Sequence, residues 1–394
     1  MTRAAGADGL MEDRRCPGDS ARKRKGMLME SILRFFRGCI SGLFCLTRRL
    51  GVRHRVCFFS RQSDRLTEDF ALLQESLAAA DPAMEIRTVC CRYRDRRDGL
   101  FHFLRMCLKS LFLAARAEVC VLDGYWPVIC LLRDKKSLRV IQIWHSVGKI
   151  KQSGYQTLDR PSGRKSSTAR AMCMHRNYDV IIAGGRAWDE YYCAAFDVDK
   201  SRLRNWGLPR LDRLSEAAGA DPALLARHPE LQGRIIVLYA PTYRTYPLEL
   251  PENFFTQFPA DRYALVCRYH PNQVFAGGPG RSDYPEEDIF DLLCACDYFI
   301  TDYSSLALEA AALRKPTVYY LPDEERYLRE NGVNIDLHQV MPACTFTAAE
   351  DVYRLIDGGG YPMEALRRYR QQYLPDPLGH ATERITALIL GNEK

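Results

Sequence analysis

His145 stands where a side chain can take a proton from a hydroxyl group. It follows the apolar run 138–144 and precedes a Ser-Val-Gly loop and two lysines. An ordinary histidine has a pKa near ~6.5, so its neutral ring can act as a general base at neutral pH. A structural histidine that is hydrogen-bonded to the backbone is the alternative that this local pattern leaves open.

Two further segments combine side chains that suit a phosphate. In YAPTYR, Thr242 and Arg244 follow an apolar run, and a hydroxyl beside a guanidinium matches phosphate oxygens. In RYHPN, Arg268 and His270 alternate to the same side and offer a pair of cations. The alternatives are a plain turn with a surface arginine for the first segment and a cluster at a sheet edge for the second.

A fourth segment predicts an anion site at the start of a helix. The apolar sequence YFI leads into a polar run, and a helical pattern follows it. The run consists of Thr301, Asp302, Tyr303, Ser304 and Ser305. Either serine can cap the helix, and the free N–H groups of a helix start attract anions. An ordinary capped helix explains one serine, whereas the whole run is more than a cap requires.

These segments follow the strands of an alternating α/β chain. Predicted strands cover residues 55–60, 84–90, 118–123, 138–144, 179–183, 234–240, 263–268, 297–301 and 317–321. Predicted helices cover residues 65–80, 100–116, 186–195, 286–295, 304–313, 362–373 and 380–391. The alternation indicates mostly parallel sheets, and the polar segment 212–232 is the predicted linker between two halves. Such halves hold a ligand in the cleft between them, at the carboxyl ends of the strands.

The composition is that of an ordinary globular protein of two or three domains. The chain has 394 residues, of which 47% are hydrophobic and 27% charged, and no apolar run is long enough to span a bilayer. The 15 cysteines are irregularly spaced, without a C-x-x-C pair that could begin a zinc site. Cysteines inside apolar runs, such as Cys57, Cys120 and Cys267, are predicted to be small buried hydrophobes in a reducing compartment.

The positive charge is concentrated at the N-terminus. Residues 1–55 hold 13 Lys and Arg against 5 Asp and Glu, whereas the remainder of the chain is nearly neutral, which excludes a basic nucleic-acid-binding body. Residues 1–26 are predicted to be disordered. Residues 28–50 show a helical apolar stripe opposite arginines, which predicts a helix on an anionic membrane surface. An amphipathic helix docked on its own domain is the alternative.

Five segments together resemble the CDP-glycerol glycerophosphotransferase family of wall teichoic acid synthesis. They are IQIWHSVGKIK (141–151), WGLPRLD (206–212), VLYAPTYR (237–244), RYHPN (268–272) and DYFITDYSSLALEAAALRKPTVYYLPD (297–323). They occur in the family's order, and weaker similarity extends the resemblance to about residues 52–390. The resemblance implies an α/β, GT-B-like fold, in which two Rossmann-like domains face each other across a cleft behind an N-terminal amphipathic helix.

The resemblance also implies a domain division and a set of partners. The tail would be 1–26, the amphipathic helix 27–51, the acceptor domain 52–212, and the donor domain, with the terminal helices, 213–394. CDP-glycerol or CDP-ribitol would be the donor substrate, with no cofactor. The sequence shows no carboxylate cluster for a metal ion, so no metal is predicted. The acceptor would be an undecaprenyl diphosphate-linked lipid, met by a peripheral protein on the cytoplasmic face of the cell membrane.

Site residues follow from the family's motifs. His145 matches the histidine proposed as general base, and His270 matches one placed at the donor pyrophosphate. Thr301, Ser304 and Ser305 match residues that meet the phosphates, with Asp302 and Tyr303 shaping the loop. Arg210 and Asp212 match a Pro-Arg-x-Asp motif after the crossover between domains. Ser146 replaces the family's usual glycine, which adds a β-carbon beside the expected acceptor.

The predicted activity is the transfer of a polyol phosphate, glycerol phosphate by preference, from CDP-glycerol to a hydroxyl of a lipid-linked acceptor. CMP would leave. Two alternatives stay open: a GT-B glycosyltransferase that uses a nucleotide sugar for a capsule or wall polymer, and a non-catalytic membrane-bound partner of wall-polymer assembly. The presence of His145 and His270 argues against the non-catalytic alternative, since a non-catalytic copy would be free to lose them.

Overall fold

Two parallel β-sheets organise the chain in a computed structural model, which describes residues 34–92, 97–216, 219, 222–251, 253–270 and 283–392. The predicted tail 1–26 lies outside the described residues, as does the beginning of the predicted N-terminal helix, 27–33. The described helix α1 covers residues 34–48.

The N-terminal sheet has six parallel strands in the order β2-β1-β3-β4-β5-β6. The strands are β1 Arg55–Ser60, β2 Glu85–Cys90, β3 Val119–Leu122, β4 Arg139–Gln142, β5 Val180–Ile182 and β6 Leu203–Arg204. Every residue of β1 and β3 is buried, as expected of parallel strands that are covered on both faces. Cys57 and Cys120 lie within these strands as free, buried residues, which confirms their prediction as core residues.

Short and long helices cover this sheet. They are α1, α2 Glu68–Ala80, α3 Arg97–Ala115, α4 Pro127–Leu131, α5 Ser166–Ala171 and α6 Asp189–Phe196, with 3₁₀ turns at Gly154–Thr157, Arg186–Trp188 and Lys200–Arg202. Helix α1 is attached to the domain by Arg48, whose Nη1 donates to the carbonyl oxygens of Ala115 (3.2 Å) and Ala117 (3.0 Å). Phe44 of the same helix is fully buried, so α1 is docked on the N-terminal half.

The C-terminal sheet has five parallel strands in the order β11-β10-β9-β7-β8. The strands are β7 Ile235–Tyr239, β8 Tyr263–Cys267, β9 Tyr298–Thr301, β10 Thr317–Tyr320 and β11 Thr345–Phe346. The helices are α7 Arg210–Glu216, α8 Pro222–Arg227, α9 Asn253–Thr256, α10 Ile289–Ala295, α11 Leu306–Ala312, α12 Glu324–Glu330, α13 Leu337–Val340, α14 Ala349–Asp357, α15 Met363–Tyr373 and α16 Ala381–Leu390, with 3₁₀ turns at Pro229–Leu231 and Pro342–Cys344.

The predicted α/β fold with two parallel sheets is confirmed, and the predicted strands end within two residues of the observed ones. The two-residue strands β6 and β11 and the helices α4, α5, α9, α12, α13 and α14 were not predicted. The predicted linker 212–232 contains most of α7 and all of α8. Helix α16, predicted to belong to the donor domain, packs on α2 of the N-terminal half, where Thr386 Oγ1 donates to Ser76 Oγ (2.9 Å).

Candidate functional site

Polar side chains follow the carboxyl ends of three neighbouring strands in each sheet. In the N-terminal sheet, β1, β3 and β4 lead into Gln62, Asp123 and His145. In the C-terminal sheet, β7, β8 and β9 lead into the segment 242–244, His270 and the run 301–305. In parallel sheets this edge is where ligands bind, so the two sets of residues form the candidate site.

The ring of His145 is oriented by the backbone of the neighbouring strand. Its Nδ1 lies 3.0 Å from the carbonyl oxygen of Asp123, and the side-chain amide of Gln62 lies 3.0 Å from the same nitrogen. A proton on Nδ1 would satisfy the Asp123 carbonyl oxygen, which can only accept, whereas Gln62 Nε2 can only donate to an unprotonated Nδ1. The two contacts therefore fit opposite tautomers of the neutral ring. The Trp144 ring packs against the imidazole, with 4.4 Å between ring centroids.

His145 is neutral at neutral pH. The side chain is exposed, yet it lies among so many protein atoms that the loss of hydration lowers its pKa to about 3. The positive charges of Lys149, Lys151 and Arg210 act in the same direction. Arg210 contacts both the His145 carbonyl oxygen and Glu309 of the C-terminal half, so His145 lies where the two halves meet. A bound diphosphate would raise this pKa, since a nearby negative charge favours the imidazolium.

The two lysines after His145 differ in burial and in their neighbours, a difference that the sequence pattern does not predict. Lys149 is buried, with its ammonium 4.3 Å from the ring centroids of both Trp144 and Phe196. Lys151 is exposed, and its pKa is lowered by poor hydration and by Arg244 but raised by Asp302. Lys151 therefore comes from the N-terminal half and faces charged groups of the C-terminal half.

His270 lies on the opposite half of the same cleft. It is exposed, and its ring packs beside Tyr243 with 5.0 Å between centroids. Poor hydration lowers its pKa, and the positive charges of Lys151 and Arg92 lower it further. The structure thus brings the two predicted histidines towards one region, with Lys151 acting on both.

Arg244 is a buried part of the framework. Its Nε and Nη2 donate to the two carboxylate oxygens of Asp323 (2.6 and 2.7 Å), and its Nη1 lies 2.7 Å from Asp302 Oδ2. Thr242 donates to the other Asp302 oxygen from its backbone N–H (2.8 Å) and from Oγ1 (2.5 Å). Thr301 Oγ1 donates to the carbonyl oxygen of Ala240 (2.7 Å). These predicted phosphate ligands hold the loops after β7 and β9 together, and a direct substrate contact stays a prediction.

The rest of the Thr-Asp-Tyr-Ser-Ser run begins α11. Tyr303 is buried and stacks on Tyr327 at a centroid distance of 4.3 Å. Ser304 Oγ accepts from the backbone N–H of Leu306 (3.3 Å), so Ser304 caps the helix, whereas Ser305 makes no side-chain cap hydrogen bond. Both serines are half-buried.

The remaining predicted ligands bind backbone or lie between the halves. Arg268 Nη1 donates to the carbonyl oxygens of Asp283 (3.0 Å) and Tyr284. Asp212 accepts from the backbone N–H groups of Ala381 (3.0 Å) and Thr382 (2.7 Å), which caps α16. Neither contact involves the other residues of the cleft, so their predicted substrate roles stay predictions.

Arg210 joins the two halves beside His145. Its Nη2 donates to the His145 carbonyl oxygen (2.9 Å), its Nη1 lies 3.4 Å from Asp69 of α2, and its Nε lies 3.2 Å from Glu309 of α11. Burial raises the pKa of Glu309 to about 7 although Arg210 opposes the change. Arg210 is therefore placed to position the histidine loop relative to the C-terminal half.

Within the described parts of the chain, one group of three side chains has the geometry to hold a metal ion: His228, Glu286 and Glu287. Glu287 already accepts from Arg227 Nε (2.8 Å) and Nη2 (2.7 Å), and it lies 2.8 Å from His228 Nε2. An ion would have to compete with Arg227, so this group is explained as an ion-pair cluster.

Comparison with known proteins now identifies the family. The family model of CDP-glycerol:poly(glycerophosphate) glycerophosphotransferases matches residues 44–391. The chain belongs to this family. Among relatives of this glycerophosphotransferase-family protein, the teichoic acid ribitol-phosphate primase of Bacillus spizizenii is 26% identical over 366 residues, which is 87% of this chain and 93% of that one. The teichoic acid glycerol-phosphate primase of Bacillus subtilis is 27% identical over 252 residues, which is 60% of this chain and 65% of that one.

Solved structures share the fold of this glycerophosphotransferase-family protein. The wall teichoic acid polymerase TagF, in a variant soaked with CDPG, is similar with a TM-score of 0.70 and 18% identity, covering 94% of this chain and 98% of that one. A putative UDP-N-acetylglucosamine 2-epimerase from Listeria monocytogenes is similar with a TM-score of 0.55 and 13% identity, covering 86% and 96%. The described residues include no helix that is long and apolar enough to cross a membrane.

Proposed function

We propose that this protein transfers glycerol phosphate from CDP-glycerol to a hydroxyl group of a lipid-linked acceptor and releases CMP. The observation that carries the proposal is the neutral His145 on one half, whose ring is held through Nδ1, while His270 faces the same cleft from the other half. Phosphoryl transfer needs these two elements: a group that accepts the hydroxyl proton and cations for the phosphate charge.

In the proposed reaction, the acceptor hydroxyl gives its proton to His145 Nε2 as its oxygen attacks the β-phosphorus. A new oxygen–phosphorus bond forms, and the bond between that phosphorus and the bridging oxygen breaks. The bridging oxygen keeps the electron pair and leaves as part of CMP. Attack and departure occur in line, so the acceptor and the cytidine lie on opposite sides of the transferred phosphate.

The cations of the cleft support this reaction by their placement. Lys151 would stabilise the charge on the diphosphate, together with the half-exposed serines Ser304 and Ser305. A bound diphosphate would also favour the charged form of His270. The binding of the dianion would also raise the pKa of His145 from about 3 towards the working pH, which makes it a better base. The donor thus activates the residue that deprotonates the acceptor.

The N-terminal half offers a surface for the membrane that would carry the acceptor. Phe35 is 70% exposed and Phe36 56% exposed on α1, and α3 exposes Phe101 to 75%. Other apolar side chains on these two helices are also exposed: Leu46, Leu100, Leu104, Leu108 and Phe112. We propose that these exposed side chains of α1 and α3 contact an anionic bilayer at the cytoplasmic side, as the basic N-terminal segment predicts.

A donor comparison tests the proposal. The purified chain is supplied with a lipid-linked disaccharide acceptor and either CDP-glycerol, CDP-ribitol or UDP-N-acetylglucosamine, and the released nucleotide is measured. The proposal expects acceptor-dependent CMP from CDP-glycerol. CMP from CDP-ribitol alone would overturn the choice of polyol, and UDP release would overturn the reaction class and favour a glycosyltransferase. Nucleotide binding without turnover would favour the non-catalytic alternative.

A further inference from the structure

A strap of the C-terminal half, residues 330–334, crosses the cleft to the segment that follows His145. Gln152 donates from its backbone N–H to the carbonyl oxygen of Gly332 (3.1 Å), and Asn334 donates in the same way to Ile150 (2.8 Å). Lys151 and Val333 form an antiparallel bridge between these contacts. Gly332 has a φ of +77°, a backbone conformation that residues with a β-carbon rarely adopt, so the crossing favours glycine.

Asn334 is the strap residue whose side chain binds the N-terminal half. Its Nδ2 donates to the Lys149 carbonyl oxygen (2.7 Å), and its Oδ1 accepts from Gln156 Nε2 (2.7 Å). Gln156 Oε1 accepts from the backbone N–H of Ser153 (3.3 Å), and Ser153 Oγ accepts from Lys149 Nζ (3.2 Å). These hydrogen bonds form a closed ring, so Asn334 fixes both the backbone and the ammonium group of Lys149.

The hydrogen-bonded ring contains Lys149, which is connected to the proposed base, His145, through Trp144. The Lys149 ammonium lies 4.3 Å from the centroid of the Trp144 ring, and Trp144 packs on His145. The other end of the strap follows α12, where Tyr327 stacks on Tyr303 of the loop after β9. The strap therefore contacts the histidine side of the cleft and is continuous with the donor side.

We propose that Asn334 is a positioning residue that sets His145 against the donor-binding loop while the two halves are joined. The inference rests on the proposed function, since Asn334 itself contacts no group that the reaction changes. A displacement of about 1 Å between a base and its target lowers turnover about a hundredfold. Asn334 therefore affects kcat for the transfer, and it leaves donor binding nearly unchanged.

The variant Asn334→Asp keeps the size of the side chain and the acceptor for Gln156, but it places a carboxylate oxygen against the Lys149 carbonyl. We expect kcat for CMP release to fall about a hundredfold, while KM for CDP-glycerol changes little. Asn177→Asp is the matched control, since Asn177 Nδ2 donates to the carbonyl oxygens of Ile129 (2.8 Å) and Leu132 (2.9 Å) within the N-terminal half. Equal kcat values for the two variants would overturn the proposal.

A second measurement does not depend on turnover. In the full chain, Asn334→Asp is expected to speed hydrogen exchange in residues 145–156, whereas Asn177→Asp leaves it at the wild-type rate. Unchanged exchange in Asn334→Asp would overturn the positioning role. Failure of the proposed function would instead appear as wild-type protein that releases no CMP from any donor, so the two failures are distinguishable.

Discussion

The substitution Glu309→Gln should stabilise the protein at pH 8 and have little effect near pH 4.5. Glu309 is buried at the junction of the halves, and burial raises its pKa from 4.5 to about 7 despite Arg210, whose Nε lies 3.2 Å away. An acid with a raised pKa in the folded state contributes stability that is complete below the unfolded pKa. That stability is lost as the pH rises through the folded pKa.

The size of this stabilisation follows from the pKa shift of Glu309. Raising a carboxyl pKa from 4.5 to about 7 disfavours the ionised folded protein by about 3 kcal/mol at pH 8. Glutamine keeps the neutral form at every pH, so the gain of Glu309→Gln should grow between pH 4.5 and pH 8 towards about 3 kcal/mol. Arg210→Met should act in the opposite direction, by about 3 to 5 kcal/mol at pH 8, because it leaves buried carboxylates unpaired.

Guanidinium unfolding at several pH values measures these free-energy differences. Glu364→Gln is the matched control, since the exposed Glu364 pairs with Arg367 at the surface and its pKa is lowered. That control should show no gain at pH 8. A Glu309→Gln variant that is less stable than wild type at pH 8 would refute the reasoning, because it would mean that attraction to Arg210 outweighs the cost of burial.

Three further outcomes are expected. The NMR signal of His145 should report a neutral ring from pH 8 down to pH 5 in the free protein, because the loss of hydration lowers its pKa to about 3. With CDP-glycerol bound, the ring should become protonated at a higher pH. A midpoint near 6.5 in the free protein would contradict this. The double variant Phe35→Ser/Phe36→Ser should bind anionic vesicles more weakly than wild type in a flotation assay. The control Leu328→Ser, on the C-terminal half, should bind as wild type does. Equal binding by the wild type and both variants would count against the proposed membrane contact. Tyr327→Leu should lower the free energy of unfolding by about 2 to 3 kcal/mol, because it removes a buried ring stacked on a second ring; an unchanged unfolding midpoint would show that the stack contributes little.

The sequence predicted the strands that form long apolar runs and missed the strands that are too short to show a pattern. Buried strands such as β1 and β3 are continuous apolar runs, so their position was clear. The two residues of β6 and of β11 are too few to show a period, and they join their sheets through neighbours far along the chain. The placement of α16 on α2 also depends on a contact between residues 310 positions apart, which no local pattern reports.

The sequence could predict which candidate site residues lie at the carboxyl ends of strands. It could not predict which of them are buried by partners far away in the sequence. His145 and His270 face the cleft because they follow parallel strands. Arg244 carried the same local signal, but it pairs with Asp302 and Asp323, 58 and 79 positions away in the sequence, and is buried by them. Lys151 was visible as one of two lysines after His145, but no local pattern distinguishes it from the buried Lys149.

The rate of CMP release in His145→Ala, compared with wild type, tests the central claim most directly. CDP-glycerol and a lipid-linked acceptor are supplied, donor binding is followed by calorimetry, and His338→Ala serves as the control, since His338 is exposed and pairs with Glu324 (3.0 Å). We expect His145→Ala to bind the donor but to release CMP about a hundred to ten thousand times more slowly, with His338→Ala near wild type. Normal turnover by His145→Ala would contradict the assignment of His145 as the base.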